Sequence, residues 1–200
     1  MKNTFVVSCP IDTYSGYGAR ARDFIKSLIE LDKYDVKILS QRWGNTTRGF
    51  IENNKEEWGF LEKLIIPGLQ EKPDYWCQIT VPNEFQSVGK YNVGLTAGIE
   101  TTNCDIEWIR GCNRMDLILT SSEHSKNTFQ NSQFQNSEKK DDIVKLEKPI
   151  EVLFEGGNLD IYKITNNFHN KELYNQIDSI EEDFAYLVVG HWMQGNFGHD

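Results

Sequence analysis

The sequence has no apolar run long enough to cross a membrane. Its uninterrupted apolar stretches are short, as in residues 184–189, whereas a membrane-spanning helix needs about 20 consecutive apolar residues. The apolar stretch within residues 1–10 is also too short for a signal peptide, and no small-residue cleavage site follows it. We therefore expect a cytoplasmic protein without a transmembrane segment.

An excess of basic residues is also absent. Lys and Arg total 21 against 30 Asp and Glu, which leaves a net charge of −9. Phosphate backbones repel an acidic chain unless it carries a strong local basic patch, and the pair Lys139 and Lys140 is followed at once by Asp141 and Asp142. We expect no nucleic-acid partner, and the sequence carries no signal for an oligomeric state.

Clustered metal ligands are missing as well. The sequence contains no C-x-x-C motif, and its four histidines do not cluster with its four cysteines. A structural zinc site needs such a cluster, so we expect no metal and interpret the cysteines as free, partly buried thiols. They are Cys9, Cys77, Cys104 and Cys112.

Short apolar runs alternate with segments of helical periodicity along the chain. Hydrophobic residues make up 38% of the 200 residues, which is enough for a packed core. Strands are predicted at residues 4–8, 35–39, 75–81, 91–97, 116–120, 150–154 and 184–189. Helices are predicted at residues 19–31, 56–65, 105–114, 123–130 and 171–180, with an exposed polar loop at residues 131–142.

This alternation predicts an α/β fold. The predicted strands are apolar on both faces, as in a parallel sheet that helices cover on both sides. We therefore predict a Rossmann-like, mostly parallel sheet with helices on both faces for residues 1–180. In such sheets, ligands bind at the carboxyl ends of the strands, so the loops that follow the strands are the places to search for a site.

The loop after the first predicted strand ends in Ser15, Gly16, Tyr17 and Gly18, and with Ala21 it fits the pattern G-x-G-x-x-A. Glycines let a backbone approach a phosphate, and the helix that follows offers free N–H groups. A nicotinamide site needs this motif directly after the strand and an acid after the second strand. Here seven residues intervene, and residues 40–42 are Ser, Gln and Arg. A plain glycine turn, a contact with a polar ligand and a nicotinamide site remain as alternatives.

Glu100 and Thr101 follow the fourth predicted strand, among small residues. A carboxylate there could bind sugar hydroxyls or stabilise positive charge that develops on a sugar ring. The alternative is that Glu100 caps the helix that begins near Asp105, or forms a surface ion pair.

A glycine pair follows the strand predicted at residues 150–154. Two glycines allow a tight turn with positive φ, and Asn158 and Asp160 after them are candidates for hydrogen bonds to sugar or ribose hydroxyls. A plain turn is the alternative. No Ser/His/Asp or Cys/His set can be assembled from the sequence, and His124 is expected at a helix start in a surface role.

The order and spacing of these motifs resemble the retaining glycosyltransferases with two nucleotide-fold domains, the group 1 or family 4 type of GT-B architecture. The resemblance covers most of the chain, begins with the first glycine loop and is strongest over residues 91–129. The motifs there are VGLTAGIE at 93–100, EW at 107–108, CN at 112–113, MDLILTSS at 115–122 and SK at 125–126. Residues 152–162 are similar to a conserved turn of that family, and residues 186–192 to the first strand of its second domain.

The resemblance implies transfer of a sugar from a nucleoside-diphosphate sugar to a glycan or another hydroxyl acceptor. Configuration would be retained, and neither a cofactor nor a metal would be required. Gly16, Tyr17 and Gly18 would face the cleft near the donor phosphates, with Ser15 as a further substrate-binding residue. Glu100 and Thr101 would line the acceptor side, and the chemistry of its carboxylate makes Glu100 our predicted catalytic residue.

The resemblance also implies a division of labour between two domains. The N-terminal domain, residues 1–180, would shape the acceptor side, and a C-terminal domain would hold the donor nucleotide. Residues 181–200 would then be the first strand of a truncated second domain, and this chain alone would be inactive.

Two other functions remain as hypotheses. One is a non-catalytic sugar- or nucleotide-binding domain of the same fold, which would turn over no UDP-, GDP- or ADP-sugar in any form. The other is an NADP-dependent oxidoreductase that uses Gly16, Gly18 and Arg42, which a titration with NADPH followed by fluorescence would detect.

Overall fold

The structure, a computed structural model, describes residues 2–135, 143–159, 162–165 and 169–186. The chain divides into two units, Met1–Gly156 and Gly157–Asp200. The domain boundary that we place after residue 180 from the sequence stays a prediction.

The described residues of the first unit form eight strands. They are β1 (Asn3–Cys9), β2 (Tyr34–Ser40), β3 (Tyr75–Ile79), β4 (Tyr91–Leu95), β5 (Leu117–Thr120), β6 (Gln133–Gln135), β7 (Ile143–Lys145) and β8 (Ile150–Val152). Six of these strands form one sheet in the order β2-β1-β3-β4-β5-β8, and every neighbouring pair in it is parallel. The α/β, Rossmann-like fold class is therefore confirmed.

Six α-helices lie in the part of the chain that the structure describes. They are α1 (Gly16–Glu30), α2 (Phe50–Asn53), α3 (Lys55–Trp58), α4 (Ile106–Cys112), α5 (Glu123–Asn131) and α6 (Lys171–Asp178). Short 3-10 helices span Gly59–Leu64 and Pro82–Glu84. Among these described helices, none combines the length and the apolar character that crossing a bilayer requires.

Helices cover both faces of the sheet. Along β1, Val7 belongs to a hydrophobic cluster that includes Ile25 of α1. The preceding residue, Val6, belongs to a second cluster that includes Ile109 of α4 and Phe129 of α5. Successive side chains of a strand point to opposite faces, so β1 is apolar on both sides because both sides are core. Full burial of each such side chain contributes about 1.5–3 kcal/mol.

The second unit contains one described helix, α6. Its N-terminus is capped by Asn170, whose side-chain oxygen accepts the Leu173 N–H at 2.9 Å. This asparagine cap satisfies one of the backbone donors that every helix start leaves free.

The helix predicted at residues 56–65 is broken into two pieces. α3 ends at Trp58, and Gly59 begins the 3-10 helix that ends at Leu64. Glycine inside an α-helix costs about 1 kcal/mol relative to alanine, which favours a break here. The change of path brings the Ile66 N–H to the carbonyl oxygen of Ile38, at 2.9 Å on the outer edge of β2.

Within the segment predicted as a loop at residues 131–142, Asn131 ends α5 and residues 133–135 form β6, while residues 136–142 lie outside the described residues. β6 pairs antiparallel with β7, and Phe134 lies opposite Val144. Both side chains pack against the cluster beneath α4 and α5, so a single apolar residue in each strand is enough to dock the hairpin. Of the strand predicted at 184–189, residues 184–186 have no regular structure and the rest lie outside the described residues.

Candidate functional site

The segments that follow β1, β4 and β8 meet at the carboxyl edge of the sheet. The chain runs from β1 outward to β2 and then returns past β1 to β3. The topological switch point therefore lies between β1 and β3, and parallel sheets bind their ligands in the crevice at such a point. The residues at this edge come from α1, from the loop that begins at Thr96, and from residues 153–155.

Ser15 is the N-cap of α1, the helix that begins at this edge. Its Oγ accepts the Gly18 N–H at 3.0 Å and lies 2.8 Å from Oγ1 of Thr13. The Thr13 hydroxyl in turn donates to the carbonyl oxygen of Pro10 at 2.9 Å. The Ser15 side chain is thus engaged in the loop itself, and substrate binding by Ser15 stays a prediction.

The two glycines of the first loop have different surroundings. A Cβ added to Gly16 would meet no atom within 4 Å, whereas a Cβ on Gly18 would lie 2.5 Å from the carbonyl oxygen of Thr13. Neither glycine has a positive φ. Gly18 therefore serves the close packing of α1 on its own loop, and Gly16, at the first position of α1, leaves the backbone open to a ligand.

Tyr17 joins the ends of two strands across the switch point. Its ring stacks on Trp43, in the loop after β2, with centroids 4.2 Å apart. Its hydroxyl oxygen lies 3.0 Å from Oγ1 of Thr96 and accepts the Ala97 N–H at 3.2 Å. Thr96 and Ala97 directly follow β4, so one side chain spans from the end of β2 to the end of β4.

The environment of Tyr17 keeps its phenol neutral. Burial raises the pKa of the Tyr17 hydroxyl above its usual value, and the nearby carboxylates of Glu100 and Glu155 raise it further. The hydrogen bonds to Thr96 and Ala97 work in the opposite direction but do not cancel the effect of burial. A neutral phenol donates and accepts hydrogen bonds, which suits recognition of hydroxyl groups.

Glu100 and Thr101 lie on the exposed part of the loop after β4. Within the described residues, the Glu100 carboxylate makes no hydrogen bond or ion pair, so it is available to a ligand. The Thr101 hydroxyl donates to the carbonyl oxygen of Asn103 at 2.7 Å. Helix α4 is capped by Asp105, which accepts the Glu107 N–H at 2.7 Å, so capping by Glu100 is excluded. The catalytic role of Glu100 stays a prediction.

Arg20 ties α1 to the segment that leaves β8. Its guanidinium donates to the carbonyl oxygens of Leu153 at 2.5 Å and Phe154 at 3.4 Å. Its Nε lies 3.6 Å from Oε1 of Glu155, an ion pair too long for a hydrogen bond. The Arg20 side chain is 14% exposed and that of Glu155 is 50% exposed. Arg20 therefore supports the backbone of this edge and leaves part of the Glu155 carboxylate free.

Arg22 supports the first loop from inside the protein. It is 4% exposed, and its Nη1 donates to the carbonyl oxygens of Ile11 at 2.8 Å and Thr13 at 3.0 Å. Its guanidinium carbon lies 3.4 Å from the centroid of the Phe50 ring, a cation–π contact. Burial lowers the pKa of the guanidinium from its usual value. These contacts hold the loop that carries Ser15 and Gly16.

A cavity of about 250 Å³ lies beyond the end of β2. In its wall, the Asp12 carboxylate accepts the N–H groups of Gly49 at 3.1 Å and Ile51 at 2.9 Å. The other lining residues are Ser40, Arg48, Glu52, Glu62 and Ile65. Arg48 pairs with Asp12, and the Lys55 ammonium pairs with both Glu52 and Glu62. The remaining excess of one carboxylate disfavours an anionic ligand in this cavity.

The third group of predicted residues belongs to the second unit. Asn158 is exposed, and its carbonyl oxygen accepts the Tyr162 N–H at 2.8 Å. Asp160 lies outside the described residues. Binding of sugar or ribose hydroxyls by Asn158 and Asp160 stays a prediction.

Arg20, Trp43 and Thr96 belong to this edge and were not predicted. Thr96 directly follows β4, so the rule that ligands lie at strand ends already points to it. Arg20 lies about one helical turn beyond Gly16 and shares its end of α1. Trp43 lies in an irregular loop, and no local pattern marks it.

In the part of the chain that the structure describes, no group of three or more His, Cys, Asp or Glu side chains is arranged to hold an ion. The four cysteines are buried and free. The fold and its edge thus define a Rossmann-like α/β domain with polar residues at the carboxyl ends of its strands. Comparison of the chain with protein-family models, curated proteins and solved structures gives no match.

Proposed function

We propose that this chain is the acceptor-side domain of a retaining glycosyltransferase, which moves a sugar from a nucleoside-diphosphate sugar to a hydroxyl acceptor. The observation that supports the proposal is the junction of Tyr17 with Thr96 and Ala97 at the switch point. It joins the two loops that the sequence independently selects as ligand-binding, one with Gly16 and one with Glu100.

The groups at this edge suit a neutral, hydroxyl-bearing ligand. They are the neutral phenol of Tyr17, which the buried Thr96 hydroxyl holds in place, the open backbone at Gly16 and the free carboxylate of Glu100. Sugar hydroxyls donate to carboxylates and both donate to and accept from other hydroxyls. In the proposed role, Glu100 accepts a hydrogen bond from an acceptor hydroxyl or stabilises positive charge on the transferred sugar ring.

The donor side of the reaction belongs to a second domain in this proposal. The donor nucleotide sugar is a substrate, and the reaction needs no further cofactor. A protein localised to the cytoplasm would have access to soluble nucleotide sugars. Residues 181–200 would be the start of that donor-binding domain.

Binding of the acceptor is tested on this chain by titrating ¹⁵N-labelled protein with glucose, galactose, mannose and N-acetylglucosamine. We expect chemical-shift changes at Tyr17, Ala97 and Thr101 with at least one sugar. The variant E100Q should weaken that binding about tenfold, because a hydrogen bond to a charged acceptor contributes about 1.5–3 kcal/mol. E57Q, at an exposed glutamate of α3, is the matched control and should bind as the wild type does.

Transfer is tested with the protein purified from its native cell and incubated with UDP-, GDP- and ADP-sugars. Release of nucleoside diphosphate with at least one donor is expected. Sugar binding without turnover of any donor would favour a non-catalytic binding domain, and absence of both would refute the proposal. Quenching or enhancement of NADPH fluorescence would instead favour an oxidoreductase.

A further inference from the structure

One face of α5 is polar where it meets the rest of the protein. The face carries His124, Ser125 and Thr128, and Ser132 continues it just past the helix end. Positions separated by three or four residues share a helix face. Ser125, Thr128 and Ser132 are buried, and a buried polar group costs free energy unless it is hydrogen-bonded. We call these four residues the α5 polar stripe.

The buried members of the α5 polar stripe all bind backbone atoms of residues 99–104. The Ser125 Oγ accepts the Ile99 N–H at 3.2 Å. Thr128 Oγ1 donates to the carbonyl oxygen of Thr101 at 3.1 Å, and Ser132 Oγ accepts the Cys104 N–H at 3.2 Å. The stripe therefore fastens this loop at its start, its middle and its end.

His124, the exposed member of the α5 polar stripe, contacts the backbone of Glu100 and Thr101. Its Nε2 lies 3.2 Å from the carbonyl oxygens of both Glu100 and Thr101. Carbonyl oxygens only accept hydrogen bonds, so Nε2 must carry the hydrogen and act as the donor. The exposed His124 thus donates its ring N–H to the backbone of the residue that carries the Glu100 carboxylate.

The start of the same loop is held by close packing. Gly98 has a φ of 94°, in the left-handed region that favours glycine. A Cβ there would lie 2.2 Å from the Ser125 Oγ, so the backbone of Gly98 packs directly against the Ser125 side chain of α5. The path of the chain into Glu100 is therefore fixed on the α5 side.

We propose that His124 is a positioning residue, which together with the α5 polar stripe holds the Glu100–Thr101 backbone so that the Glu100 carboxylate faces the ligand. The inference rests on the proposed function for its consequence in binding. The Glu100 carboxylate has no hydrogen bond of its own within the described residues, so its placement depends on the backbone beneath it. A side chain that is already held in its binding conformation gives higher affinity, because less conformational entropy is lost when the ligand binds.

Three variants separate positioning from general stability. H124L removes the donor at similar size, and H124Q keeps a side-chain N–H that can reach a carbonyl oxygen. H169L makes the same change as H124L at an exposed histidine of the second unit and is the matched control.

The first measurement needs no ligand. Amide hydrogen exchange is followed at Ile99 and Cys104, whose N–H groups bond to the stripe at the two ends of the loop. H124L should exchange about fivefold faster at both amides, since one hydrogen bond contributes about 1 kcal/mol. H124Q and H169L should exchange as the wild type does, and equal exchange in H124L would overturn the positioning role.

The second measurement repeats the sugar titration with the same variants. H124L should weaken binding about fivefold and lower the melting temperature only by the few degrees that the loss of one hydrogen bond predicts, and H124Q should restore both. Wild-type affinity in H124L would refute the inference while the proposed function stands. If no sugar binds to the wild type, the proposed function fails, and the exchange result alone decides whether His124 orders the loop.

Discussion

The hydroxyl oxygen of Tyr17 lies 3.0 Å from Oγ1 of Thr96, a residue 79 positions further along the chain. Tyr17 also accepts the Ala97 N–H, so α1 and the loop after β4 share a junction of three polar groups. The junction lies at the carboxyl edge of the sheet, beside the switch point between β1 and β3 where a ligand of a parallel sheet is expected. It is both a structural contact and a lining of the candidate site.

Removal of the Tyr17 hydroxyl tests both roles. The variant Y17F keeps the ring that stacks on Trp43 but leaves the Ala97 N–H without its acceptor. We expect a loss of about 1 kcal/mol in the free energy of unfolding, measured by urea titration, together with weaker sugar binding. Y14F is the control, because Tyr14 is 47% exposed and its hydroxyl accepts only from the Asn53 amide on the surface. Equal losses in the two variants would contradict the special role of Tyr17.

The two glycines at the start of α1 should respond oppositely to alanine. G18A forces a Cβ to within 2.5 Å of the Thr13 carbonyl oxygen, and such overpacking costs about 1–3 kcal/mol. G16A enters open space in a helix, where alanine is favoured over glycine by up to about 1 kcal/mol. Thermal unfolding of both variants measures the difference. A melting temperature of G18A equal to that of G16A would show that the loop yields without cost.

Arg22 should be among the most sensitive positions of the first unit. R22M keeps an unbranched side chain but leaves the carbonyl oxygens of Ile11 and Thr13 buried without donors. We expect destabilisation of about 2–4 kcal/mol, since each orphaned buried group costs about 1–3 kcal/mol. R110M, at an exposed arginine paired with Glu107, should change stability by less than about 0.5 kcal/mol. Urea unfolding measures the free energy of unfolding of both variants, and equal losses in R22M and R110M would contradict this prediction.

The Asp116 carboxylate makes the stability of the fold depend on pH. It accepts the backbone N–H of Asn92 at 2.8 Å and the Asn92 side-chain amide at 3.0 Å, and these bonds lower its pKa below the usual 3.8. A carboxyl group whose folded pKa is lowered contributes stability above its unfolded pKa and loses it as the pH falls through the folded value. The difference in unfolding free energy between wild type and D116N should therefore be largest near neutral pH and shrink below about pH 4. A difference that is constant down to pH 2.5 would contradict this account.

The cysteines should be unreactive in the folded protein. All four are buried, and burial raises the pKa of the Cys112 thiol to about 12. The thiolate is the nucleophile, so a neutral, covered thiol reacts slowly with a disulfide reagent such as DTNB. We expect slow labelling in buffer and rapid release of four thiol equivalents in denaturant. A fast-reacting thiol in buffer would identify a cysteine that opens to solvent.

Hydrophobic periodicity was sufficient for the strands and helices of the sheet. The predicted strand at residues 91–97 and helix at 123–130 correspond to β4 and α5 within a few residues, because each pattern repeats within its own element. The break at Gly59 and the β6–β7 hairpin were missed. In both cases one contact elsewhere decides the conformation, the edge of β2 for the first and the core cluster beneath α4 for the second.

The sequence by itself determined that the chain forms a parallel sheet with two apolar faces and that loops bearing Gly16 and Glu100 follow its strands. Only the tertiary structure decided that Tyr17 meets Thr96, that Arg20 binds the carbonyl oxygen of Leu153, and that His124 meets the carbonyl oxygen of Glu100. The physical reason is separation along the chain. A local repeat of apolar residues is enough to predict which side chains are buried. Which residues become hydrogen-bond partners depends on where each strand lies in the sheet.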